Sequence, residues 1–164
     1  MAKKILKIVL EVIIVLIAYL LQFYIVNSTT LFGIKGDLCL MVIVVITLIH
    51  KNITAYTVAI MCGIMSDMLF FEIPLKHLVI YLLVVSVIIG MKKIYKQDSK
   101  LSIIVFSIIA KLSVEILRYL FNVLSKGEFV NIFSFILMII KEGILNIFFA
   151  LIMYLILNIC KQEG

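Results

Sequence analysis

Residues 101–124 read LSIIVFSIIAKLSVEILRYLFNVL. The stretch holds neither glycine nor proline, and nearly all of it is apolar. Crossing the ~30 Å hydrocarbon core of a bilayer takes roughly 20 helical residues, so it is long enough to span one. Against this background stand Lys111, Glu115, Arg118 and Asn122. Spacings of four, three and four put them on one helix face. An ionisable group at mid-membrane costs at least ~2.5–3.5 kcal/mol on insertion scales and by default marks a functional or packing site. Two readings are open. Glu115 could neutralise its two cations within its own helix, or the four could form a buried network facing other helices. The second is preferred, because a lipid-facing stripe would leave excess positive charge in hydrocarbon.

The whole chain has the same character. Of its 164 residues 65% are hydrophobic and 15% charged, with one proline and a mean hydropathy of +1.30. Soluble domains average about 45–50% apolar and ~25% charged. The composition excludes a disordered chain, a collagen, a disulfide scaffold and a nucleic-acid-binding domain, and argues against an ordinary soluble enzyme. It predicts an all-α polytopic membrane bundle forming a single domain. Polar interruptions divide the chain into about six spans, near residues 5–26, 31–49, 53–71, 75–91, 101–124 and 135–160. The first apolar stretch is longer than the ~7–15 residues of a secretory h-region and is read as an uncleaved span. The segment from Phe129 to Cys160 is too long for one simple span, and a slanted or interfacial start near Phe129 is expected.

The formal charge of +6 matters less than where the positives lie. With the N-terminus inside, Lys3, Lys4, Lys7, Lys51, Lys92, Lys93, Lys96, Lys100 and Lys161 are cytoplasmic, while only Lys35, Lys76 and Lys126 are outside. Nine against three places both termini in the cytoplasm. The lysines of the 92–100 loop are needed for that topology, and whether the loop meets anionic lipid, another protein or only water stays open.

Other polar positions are candidates. At ~1.5 Å per residue, Asp67 lies ~21 Å above Ile53 and Arg118 ~26 Å above Leu101. Asp67 is therefore either a bidentate partner for Arg118 or a group reaching outer-surface water. Ala55, Ala59, Gly63 and Asp67 recur every four residues, the small-residue pattern that lets helices approach closely. Lys7 and Glu11 read as a snorkelling pair. In Lys141-Glu142 the two charges cannot share a face, so at least one should meet a partner or headgroups. Asn146 and Asn158 are possible interhelical hydrogen-bonders. Cys39, Cys62 and Cys160 show no disulfide or metal spacing. His50 and His77 have no companion at ligand spacing in the sequence. No catalytic constellation, metal site or cofactor motif is found, and the chain is read as not an enzyme.

The order of features resembles a known family, the rod shape-determining protein MreD. The resemblance rests on Leu20-Leu21-Gln22 closing a lysine-bearing first span and on Gly36-Asp37-Leu38 entering the second, with glycine where the family has proline. It rests further on Gly63-Ile64-Met65-Ser66-Asp67 ending the third span and on Pro74-Leu75-Lys76 entering the fourth, where the family's glycine is missing. It covers nearly the whole chain through short motifs. It implies a non-catalytic, multi-pass subunit of the cell-elongation complex in the bacterial inner membrane, linked with peptidoglycan synthesis. The implied partners are an MreC-like bitopic protein and, with it, a RodA-type polymerase, a penicillin-binding transpeptidase and the MreB filament. Two further readings stay open: the substrate-binding membrane subunit of an energy-coupling-factor vitamin transporter, and a small ion or proton carrier using Asp67, Lys111 and Glu115.

Overall fold

A computed structural model of the chain describes residues 12–24, 36–70, 75–92, 100–127 and 132–162. These form six helices and, among the described residues, no strand. In chain order they are α1 (Val12–Tyr24), α2 (Leu38–Ile49), α3 (Asn52–Phe70), α4 (Lys76–Lys92), α5 (Lys100–Lys126) and α6 (Ile132–Gln162). The proline-bearing break after Glu72, the 93–99 loop, Lys7 and Glu11, and the side chains of Asn158 and Cys160 lie outside the described residues.

The fold is organised around α2. Its sequence, LCLMVIVVITLI, is apolar on every side, and a helix of that kind belongs in a core. Leu38 through Leu48 are all buried, with α3, α4, α5 and α6 packed around them. Gln22 of α1 adds a hydrogen-bonded contact at its start. Both ends of α2 are capped. Asp37 accepts from the Leu40 amide at 3.0 Å, as an N-cap aspartate does. Lys92, from the end of α4, donates to the Thr47 carbonyl at 2.8 Å and the His50 carbonyl at 3.3 Å. A cation there satisfies the last carbonyls and opposes the negative end of the helix dipole.

From α2 onward, each helix packs against the next one in the chain. In the α3–α4 hairpin, Tyr56 meets Ser86 at 3.1 Å at one end, and Asp67 meets His77 at the other. Leu75, just before α4, has a φ of 65°, a left-handed conformation unusual for a bulky residue.

Large apolar side chains stay exposed on all the outer helices, among them Leu20, Leu83, Ile116, Leu120, Ile144 and Phe148, and none on α2. Among the described residues one helical stretch, Phe133–Ile156, is long and apolar enough by length and composition to cross a membrane, with a mean hydropathy of 2.2 and little of it buried within the chain. Helix α5 is longer than α3 or α4 but carries Lys111, Glu115 and Arg118 around its middle. The slanted or interfacial start expected near Phe129 lies outside the described residues. Residues 132–162 run as one helix of 31 residues, because nothing between Ile132 and Cys160 removes a backbone donor: the stretch has no proline and its one glycine, Gly143, is tolerated.

Candidate functional site

The polar groups gather where α2 begins. Asp37 is 4% exposed. Besides capping its own helix, it accepts from the Tyr81 hydroxyl, which lies 3.1 Å from both carboxylate oxygens, and from Arg118 at 3.2 Å. Gln22 closes over the same turn. Its amide nitrogen donates to the Gly36 carbonyl at 3.1 Å and its oxygen accepts from the Leu38 amide at 2.7 Å. Asn146 of α6 accepts from the Asp37 amide at 2.9 Å. Thus α1, α2, α4, α5 and α6 all meet at the turn formed by Gly36, Asp37 and Leu38.

From Asp37 the network runs along α5. Arg118 also donates to Glu115 at 3.1 Å. The same Glu115 oxygen accepts from Lys111 at 2.6 Å, and Lys111 reaches Glu142 of α6 at 2.5 Å. Acid and base alternate from Asp37 through Arg118, Glu115 and Lys111 to Glu142. Lys111, Glu115 and Glu142 are all buried, while Arg118 keeps 27% of its side chain exposed. Each member is paired, which is the condition under which buried charge is tolerated. Helix α6 supplies Glu142 and Asn146 from one face, one turn apart, and leaves Lys141 exposed.

Asp67 is not part of this chain of contacts, and the expected Asp67–Arg118 pair is not formed. Asp67 accepts from the His77 amide at 2.8 Å, the His77 ring at 2.9 Å and the Leu78 amide at 3.2 Å. It therefore caps the N-terminus of α4 from the end of α3, where free amides and the helix dipole favour an anion. Similar depth does not fix which way a side chain faces, and Arg118 turns to Asp37 instead. The alternative of Asp67 reaching open water also fails, since its side chain is only 11% exposed. Asn122 is set apart as well: it accepts from Lys76 at 3.4 Å, at the next turn of α5.

The small-residue stripe of α3 is an intrachain seam. Ala55, Ala59 and Gly63 are all buried. A Cβ at Gly63 would fall 2.6 Å from the Leu78 Cα. Glycine there lets the backbones of α3 and α4 touch, which in turn brings Asp67 onto the first amides of α4.

Sequence reasoning missed five participants: Gln22, Asp37, His77, Tyr81 and Glu142 in their actual roles. Asp37 had a readable signal, an aspartate immediately before an apolar helix. Tyr81 had none, because nothing in a sequence says what a tyrosine in an apolar run faces. Among the described residues, no three His, Cys, Asp or Glu side chains converge on a metal-binding position. No protein-family model, curated protein or solved structure matches the chain.

Removing the Gln22 clamp has a defined cost. Gln22→Leu leaves the buried Gly36 carbonyl and Leu38 amide unpaired, and about 1–3 kcal/mol of stability is expected to be lost. Cys39 and Cys62 are free and buried, so a thiol-reactive dye reads the melting transition on a Cys160→Ser background. An unchanged midpoint would show that the clamp contributes nothing.

Proposed function

We propose that the chain is a non-catalytic, multi-pass scaffold subunit of the bacterial cell-elongation machinery, with both termini in the cytoplasm. It acts through helix and surface contacts with an MreC-like bitopic protein, and through that partner with a RodA-type polymerase, a penicillin-binding transpeptidase and the MreB filament. The observation that carries this reading is where the charges go: Asp37, Glu115, Lys111, Arg118 and Glu142 close on one another across three helices, α2, α5 and α6. Such a network braces a bundle and presents an apolar exterior to lipid and to partner helices. The motifs behind the family resemblance are also bracing contacts. Gln22 clamps Gly36 and Leu38, and Gly63 and Asp67 seat α4. Helix α5, 27 residues long, is ~40 Å in length and α6 ~46 Å, enough to cross a bilayer with tilt or overhang. Helix α2, at ~18 Å, need not cross because the others surround it.

The test is a mild-detergent pull-down of the tagged chain from its native membrane, read by mass spectrometry. Recovery of a single-span partner with wall-synthesis enzymes is the expected result. Recovery of paired ATPases with a second membrane subunit would overturn the reading in favour of a vitamin transporter.

A further inference from the structure

Lys141 and Glu142 are adjacent on α6 and point in different directions. Glu142 turns inward to Lys111, whereas Lys141 is exposed. The outer face around Lys141 is apolar. Leu137, Lys141, Ile144, Phe148, Ile152 and Leu155 are all exposed. Their spacings of four, three, four, four and three keep them on one side of the helix. Three and four positions from Lys141 stand Leu137, Met138, Ile144 and Leu145, so α6 itself brings no carboxylate to it. Among the described residues the carboxylates of Asp37, Asp67, Glu115 and Glu142 are already paired elsewhere.

A single cation thus stands in the middle of the most apolar exposed helix face. Phe133 and Ile156 end the apolar stretch, and Lys141 lies ~12 Å along the axis from the first and ~22 Å from the second. A stem of four methylene groups is shorter than either distance, so snorkelling alone does not carry the ammonium out of the stretch. A charge at such a place in a membrane is expensive, and partners are what make it tolerable. One lysine in an apolar seam of three- and four-residue spacings is also a device that fixes register between packed helices.

We propose that this face of α6 is the docking surface for one apolar helix of a partner protein, and that a carboxylate on that helix pairs with Lys141. The apolar residues supply the contact and the ion pair sets the register. The carboxylate is placed about a third of the way along the partner's span, counted from the end level with Phe133. A second copy of the chain fits the face less well. It would bring a second Lys141 and, among the described residues, no carboxylate that is not already paired. The inference rests on the multi-pass scaffold reading and deepens it, by naming the surface that a single-span partner takes.

The test uses the tagged full chain in its native membrane, with partner recovery in mild detergent measured by quantitative mass spectrometry. Lys141 is exposed, so Lys141→Met is expected to leave the thiol-dye midpoint unchanged. Recovery of the single-span partner is expected to fall by more than roughly tenfold with Lys141→Met, as when one member of a buried interfacial charge pair is truncated. It is expected to persist with Lys141→Arg. The partner's span is expected to carry an aspartate or glutamate at the stated depth. Exchanging the two charges, with Lys141→Asp on this chain, is expected to restore recovery. Equal recovery with Lys141→Met, or a partner span without a carboxylate, would overturn the inference and leave the scaffold reading standing. Recovery of no single-span partner by the wild type would overturn both. Loss of a co-purifying anionic phospholipid in place of the partner would assign Lys141 to a headgroup. A cross-link between two copies of Phe148→Cys would assign the face to self-association. Either of those results also overturns the inference. The partner's own sequence is read from wild-type recovery, so the carboxylate test stands even if a variant fails to fold.

Discussion

Lys111→Met is expected to destabilise the fold by about 3–5 kcal/mol, the range seen when one member of a buried charge group is removed. Methionine keeps most of the volume and all of the apolar stem, so packing changes little. What is lost is the cation that sits 2.6 Å from Glu115 and 2.5 Å from Glu142. Two acidic side chains from α5 and α6 then face each other with nothing between them. Lys111 is 1% exposed, so water cannot take its place without opening the helix pair. The thiol-dye melt reads the loss directly through Cys39 and Cys62. The double variant Lys111→Met with Glu142→Gln is expected to recover a substantial part of it, because Glu115 keeps Arg118 and the carboxylate left without its cation is removed. A Lys111→Met protein that melts with the wild type would show that the network does not hold α5 against α6.

The second large effect is at Gly63. Gly63→Ala is expected to cost about 1–3 kcal/mol, the usual range for overpacking, and Gly63→Leu to prevent the α3–α4 hairpin from closing. The reason is geometric. The new Cβ would sit 2.6 Å from the Leu78 Cα and 3.1 Å from its amide nitrogen, and backbone cannot turn aside as a flexible side chain can. The displacement would be felt at Asp67, four residues on, whose hold on the His77 and Leu78 amides depends on that approach. Gly90 is the control. A Cβ there meets nothing within 4 Å, so Gly90→Ala is expected to be neutral or to stabilise by up to ~1 kcal/mol through helix propensity. If both alanine variants melt alike, the close contact at Gly63 is not a constraint on the fold.

Much of the helical layout could be read locally. Apolar runs broken by polar clusters predict helices whose boundaries fall within a few residues of those observed for α3, α4 and α5, because length and breaks are local properties. The clustering of Lys111, Glu115 and Arg118 on one face was equally readable, since helical spacing alone puts them there. Their partners were not. Arg118 could be matched in depth to Asp67, but depth leaves open the rotation of each helix about its axis. That rotation points Arg118 at α2 and Asp67 at α4. Glu142 was visible as half of an awkward charge pair, without any sign of which neighbour it would meet.

The amino-acid sequence by itself determined that this protein is a set of apolar helices with buried charge to accommodate. Composition and 3.6-residue periodicity act within each segment and need no knowledge of the rest. Only the tertiary structure decided that the shortest helix, α2, lies at the centre, that its capping aspartate anchors the ion network, and that the small residues of α3 are a seam with α4. Those outcomes depend on which faces are brought together. Each is a contact between residues 10 to 109 positions apart in the chain, and the position of one helix relative to another is set by the packing of all of them at once.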